Sequence, residues 1–320
     1  MLSRRQQRAI YERLVAQGED DIAEAFLRSA GRLDVSFADL VAAIEAGDFL
    51  TVERLVTPTA ASMFPMAEAM RQTFISGGFS ALQIVGGSFG FDGRSPRATA
   101  FIDRQGGNLI QQIQEDQRKV VRIVLQETQG EGAASIGRKI VGTVNPATRL
   151  REGGVIGLTA QQTQWAFNAQ RELEQLDPAY FQRKQRDLRF DRLVKKAIRD
   201  GKPIAQADID RITNRYRDKL LKQRGLIIGA TEAKKAGAAG QWEAFSQLRE
   251  QGVNVSKRWQ HGFSREPRMD HVALEFAPAR PFDQPFIMGD GTPLLYPHQE
   301  GAPAEHVINC RCSVIYRIVD

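Results

Sequence analysis

Apolar residues at helical spacing run through the first two-thirds of this 320-residue chain and constrain its fold more than any other feature. From Gly107 to about Thr128, Leu109, Ile110, Ile113, Val120, Val121, Val124 and Leu125 recur on one helical face with Gln, Glu, Asp and Arg between them. That is the pattern of one long amphipathic helix. A second helix is expected from about Gln182 to Arg199, where Phe190, Leu193, Val194, Ala197 and Ile198 form the stripe and Gly201 with Pro203 supplies the stop. Thr159 and Gln162 have capping-box spacing and open a helix through Ala166, Ala169 and Leu173. A further helix carries Ile209, Ile212, Tyr216 and Leu220, and small residues from Gly225 to Leu248 let neighbouring backbones approach closely. Phe26, Leu27, Phe37, Leu40, Val41, Ile44 and Leu55 predict shorter helices in an N-terminal region ending near the Gly-rich stretch from Gly77 to Gly93. That stretch is no phosphate loop, because no Gly-Lys-Ser/Thr follows it.

After about Glu250 the pattern changes. The last 70 residues hold all four histidines, both cysteines and seven of the 13 prolines. Val253, Val255, Lys257 and Trp259 alternate with polar residues, and Cys310, Cys312, Val314, Tyr316 and Ile318 alternate at the end, which predicts strands. The expected fold class is mainly α, with a helical N-terminal domain over 1–105, a central helical domain over 106–250 and a small α+β C-terminal domain over 251–320. No apolar run approaches the roughly 18 residues that cross a bilayer, and the start, with Arg4, Arg5 and Arg8, lacks the apolar core of a signal peptide. Cys310 and Cys312 are one residue apart, so a disulfide between them would close a strained ring. A reducing cytoplasm, with no membrane as a stable partner, is the expectation.

Net charge is +6, and it is unevenly spread: from Arg183 to Arg224 there are 15 Lys or Arg against 6 Asp or Glu. Arg183, Lys184, Arg186, Arg189, Arg192, Lys195, Lys196 and Arg199 are expected to flank the apolar stripe of a single helix. One reading is a solvated face partly paired with Asp187 and Asp191. The other is DNA contact through phosphates, salt-sensitive and without sequence readout because aromatic residues are sparse.

Cys310 and Cys312, two apart on a predicted strand, point to one face, and with His271 they offer ligands suited to structural zinc. His298, His306 or His261 would be the fourth. In the alternative, the two thiols pack without metal beneath Trp259 and Tyr316, and His271 bonds to backbone. Arg268 and His271 share a face if Pro267 opens a helical turn. A catalytic Cys–His pair would need an oxyanion hole and an orienting third residue, neither of which is recognisable, so no enzyme is expected. Thr231 and Glu232 read as a helix-stabilising pair or as a contact to the C-terminal domain or a neighbouring subunit.

Trp259, the run from Ser264 to His271, the Leu-Leu-Tyr-Pro at 294–297 and the Asn-Cys-Arg-Cys at 309–312 resemble, as an ordered set, the end of bacteriophage Mu F-like head morphogenesis proteins. Arg151 to Thr159, Arg186 to Pro203 and Ile228 to Ala233 are similar to the helical part of that family, so the likeness covers roughly residues 107–320. It departs at His298, where Gly is common after Tyr-Pro, and at Gly229. The resemblance implies a minor head, or minor capsid, protein of the virion, made in the host cytoplasm. It would act with the portal protein and with procapsid or scaffold components in head assembly and DNA packaging or delivery. Two alternatives stand beside it: a DNA-binding internal head protein ejected with the genome, and a head-carried zinc-dependent nuclease or toxin.

Overall fold

A computed structural model describes residues 1–86, 89–262 and 266–319; Ser264 and Arg265 of the resembling run lie outside the described residues. The protein is mainly α with a small α+β C-terminal region. Several elements follow the sequence closely. Thr159 and Gln162 form a reciprocal capping box ahead of the helix Ala160–Glu174, and Gly201, at φ 60°, ends the helix Asp191–Asp200 in the left-handed region open to glycine. The amphipathic stripe at 109–125 lies in a longer helix, Pro96–Glu127. The stripe carrying Tyr216 and the Ala/Gly-rich segment after it form one 45-residue helix, Gln206–Glu250.

Other expectations needed correction. The N-terminal region opens with a 28-residue helix, Arg4–Gly31, whose apolar positions are diluted by Ala, Gln and Arg. Gly77 and Gly78 do not close a domain; they sit inside the helix Ala60–Val85. Chain contacts assign Met1–Glu24, Pro65–Asn108 and Leu226–Asp320 to one compact unit, and Ala25–Phe64 with Leu109–Gly225 to another. This differs from consecutive segments 1–105, 106–250 and 251–320. Each change of unit falls inside a helix, where composition gives no sign of it.

The unit containing 109–225 is built around Leu40, Val52, Val121, Ile140, Leu158 and Leu220, all fully or nearly fully buried. Arg224 spans its interior, bonding Gly157 O at 2.9 Å and Asp116 at 2.7 Å. In the other unit, small residues allow close helix packing, since a Cβ on Gly240 would collide with the carbonyl of Phe74. Its three-stranded antiparallel sheet has the order Arg280–Pro281, Val255–Gln260, Ser313–Ile318, with Trp259 opposite Val314. The outer edge of Ser313–Ile318 is closed by the Gln7 carboxamide, which donates to and accepts from the Tyr316 backbone at 3.1 Å each way. Phe245 stacks on Tyr316 with centroids 4.1 Å apart, and Trp242 on Phe282 at 3.8 Å, tying the long helix to the sheet.

Candidate metal centre and basic segment

Three stretches of the C-terminal region bring the sequence-singled side chains together. Pro267 precedes the helix Met269–Phe276 without opening it, and Arg268 occupies the N-cap, so His271 falls in the first turn. Cys310 and Cys312 lie on the lead-in to the strand Ser313–Ile318, three residues and one residue before it and so outside the strand expected for them, yet both sulfurs face the same ring. His271 Nδ1 is 3.5 Å from Cys310 Sγ and 3.6 Å from Cys312 Sγ. The Arg268 guanidinium reaches the same stretch, donating to Ile308 O at 2.6 Å. Trp259, from the central strand, closes the site edge-on to His271 at 5.3 Å.

The packed-core reading gave His271 a backbone partner, and its ring has none. Its Nε2 instead lies 3.4 Å from His306 Nδ1, and His306 Nε2 lies 3.0 Å from Asp290 Oδ2. The row of bonds is satisfied when each imidazole carries its proton on Nε2, leaving His271 Nδ1 as a bare lone pair aimed at the sulfurs. Asp290 is fixed by the Thr292 backbone N–H and hydroxyl, and these contacts with His306 hold its carboxyl down at about 2. The sulfurs influence each other as well. Cys312, followed by the rings of His271 and His298, draws the Cys310 thiol far below its ordinary value, while Cys310 and burial push Cys312 upward.

Of the expected fourth ligands, His306 sits behind His271, on the side away from the sulfurs. Beside Cys312, a cleft of about 760 Å³ is lined by Tyr11, Glu19, Lys234 and Arg311. Sequence reasoning missed two residues here. Asp290 carried a faint signal in its Asp-Gly-Thr turn. Lys257 carried a clearer one, because it occupies the apolar register of its strand; it is 1% exposed, donates to Leu295 O at 2.7 Å and lies 4.6 Å from the Trp242 ring centre. Burial pushes its ammonium down to about 7.

The basic segment is not the single helix expected over 182–199. Asp177 caps a 3-10 turn at Pro178–Gln182, and Asp187 caps another at Leu188–Phe190, so the α-helix begins only at Asp191. Arg183 pairs with Glu172 at 2.5 Å, Arg186 with Asp191 at 3.1 Å, Arg189 with Asp187 at 2.6 Å and Arg199 with Asp200 at 2.8 Å. Among the described residues Lys184, Arg192 and Lys196 have no ion pair, and Lys195 only overlies the Phe181 ring at 5.6 Å. These four are exposed. Glu232 is buried, bonded by Gln105 at 2.9 Å and Lys235 at 2.8 Å, as a helix-stabilising residue would be. No helix among the described residues is long and apolar enough to cross a membrane. Set against family models, curated proteins and solved structures, the chain matches none.

Proposed function

We propose that the chain is a bacteriophage minor head protein of the Mu F-like type, a virion component that binds and positions beside the portal during procapsid assembly and DNA packaging or delivery. The observation that carries this reading is the convergence of the resembling pieces. His271 meets Cys310 and Cys312 in a buried cluster beside Trp259, Arg268 donates to the neighbouring Ile308 carbonyl, and Tyr296 of the Tyr-Pro turn packs 5.2 Å from Trp242 in the same compact unit. Residues far apart in sequence thus behave as one motif. Burial of His271, Cys310 and Cys312 to 3% exposure or less favours a positioning role over chemistry, since a catalytic metal keeps a position open to substrate.

The anionic partner in this reading is the DNA backbone, met by Lys184, Arg192, Lys195 and Lys196. The test is fractionation of assembling particles. The protein is expected with portal-bearing procapsids, and deletion of residues 251–320 is expected to depress infectious titre. Recovery only in the particle-free fraction, with normal titre from the deletion, would overturn it. Metal-dependent cleavage of nucleic acid that His271→Ala abolishes would favour the nuclease instead.

A further inference from the structure

His298 is the residue in this region with the least local justification. It is 1% exposed, and neither ring nitrogen has a hydrogen-bond partner. Its backbone sits at φ 64°, the left-handed region where a side chain is disfavoured and where glycine fits without strain. Buried imidazoles normally satisfy at least one nitrogen, so an orphaned ring held on a strained backbone implies a partner of another kind. Its ring is among the groups that draw the Cys310 thiol down, which makes it the candidate to complete the trio of His271, Cys310 and Cys312, whose ligand atoms lie within 4.8 Å of one another without it.

The distances name the partner. With Zn–S near 2.3 Å and Zn–N near 2.0–2.1 Å, a tetrahedral zinc has N···S edges of roughly 3.6 Å. The two N···S separations are 3.5 and 3.6 Å, and all three donor atoms lie within 4.8 Å of one another. One Nδ1 lone pair cannot fully serve two thiols, whereas a cation between the three serves all of them. We propose that His271 Nδ1, Cys310 Sγ, Cys312 Sγ and a ring nitrogen of His298 hold one zinc ion in a closed Cys2His2 site, with His306 and Asp290 as its outer hydrogen-bond chain.

The surroundings fit this assignment. His271 donates through Nε2 to His306 and His306 to Asp290, the arrangement that fixes a ligating imidazole's tautomer and ring orientation. The Cys312 backbone N–H lies 3.4 Å from Cys310 Sγ, where it can donate to that sulfur. Two thiolates and two imidazoles suit zinc in tetrahedral geometry. Coordination involves no redox step: each thiol releases its proton to solvent as its sulfur lone pair binds the metal. Four protein donors leave no position for substrate, so the ion is structural. The inference stands apart from the assembly reading, because a metal-free protein found in portal-bearing particles would overturn only the former.

The experiment uses the full chain, purified under reducing conditions without added metal, then analysed for zinc and reloaded with cobalt(II). One zinc per chain is expected, together with the intense visible bands of a tetrahedral cobalt thiolate centre. Cys310→Ser, Cys312→Ser and His271→Ala should each lose stoichiometric metal. His306→Gln and Asp290→Asn should weaken zinc by about 10–100-fold, the usual effect of outer-shell loss. His298→Gly removes the ring while relieving the backbone, so it separates ligation from folding; it should weaken zinc by more than either outer-shell change and shift the cobalt spectrum. Wild-type affinity and spectrum in His298→Gly would overturn the fourth ligand. Wild-type protein that takes up no stoichiometric zinc and gives no tetrahedral cobalt spectrum would overturn the site.

Discussion

The Cys–His nest and the basic segment attract attention for opposite reasons, and the fold treats them oppositely. In the nest, His271, Cys310 and Cys312 converge on one another, and neither ring nitrogen of His298 has a hydrogen-bond partner. In the basic segment, Arg183, Arg186, Arg189 and Arg199 each have a carboxylate of their own. Two further arginines counted in its excess, Arg217 and Arg224, are buried at 3% and 7% exposure and serve the interior. A local charge excess therefore overstates the surface available to an anion, whereas a short Cys-x-Cys understates a centre completed from other segments.

The largest expected effect tests the nest. Chelation of the full-length protein should lower its melting temperature by roughly 10 °C, or ~3–5 kcal/mol, restored by added zinc; loss of a metal is among the few changes that cost so much. A metal-free packed core would instead be insensitive to chelator and lose only ~1–3 kcal/mol on Cys310→Ser. Calorimetry with and without chelator, on wild type and Cys310→Ser, separates the two, and identical wild-type curves would place the nest beside any other buried core.

How much of this was legible follows from how local each signal is. The capping box at Thr159 and Gln162, the stop at Gly201 and the alternation from Val255 to Trp259 depend on neighbouring residues, and all appear in the fold. The join between the Tyr216 stripe and the Ala/Gly-rich segment was hidden, because nothing but helix continuity links them. The apolar stripe began only at Phe190, and over 183–190 short-range competition from Asp187, whose side chain accepts from the Arg189 N–H, kept the α-helix from extending back to Gln182. The cysteines and His271 were readable as a set. His298 could be named only among three histidines, since the folded burial and backbone that single it out are not properties of the sequence around it.

Lys257 offers a second contrast with the basic segment: a cation held by aromatic faces and the Leu295 carbonyl in place of a carboxylate. Burial lowers its folded pKa to about 7, so between there and the unfolded value near 10.4 the unfolded chain binds more protons. Its stabilising contribution therefore rises with pH across that window, by up to ~1.4 kcal/mol per pH unit, and is weakest below about pH 7. Lys257→Met keeps the stem, removes the charge and should stabilise the protein at pH 6 by ~1–4 kcal/mol while flattening the slope. Denaturant titrations at pH 6, 8 and 10 would read this out; parallel profiles for the two proteins would show that the site tolerates the ammonium.

The smallest effect per residue belongs to the exposed cations, each expected to contribute no more than about 1 kcal/mol at physiological salt. If Lys184, Arg192, Lys195 and Lys196 are the ones that meet phosphates, changing all four to Gln should reduce the slope of log affinity against log salt by up to ~4, since each contact contributes about 0.9. The paired set behaves differently. Arg183 and Arg186 are half-buried and hold Glu172 and Asp191, so Arg183→Gln with Arg186→Gln should lower the melting temperature and leave the salt slope nearly unchanged. Binding to a random-sequence duplex, titrated from low to moderate salt, measures both slopes. Were the paired arginines to alter the slope as much as the exposed residues do, internal pairing would not be what sorts this segment's cations, and the distinction drawn between it and the nest would fail on the basic side.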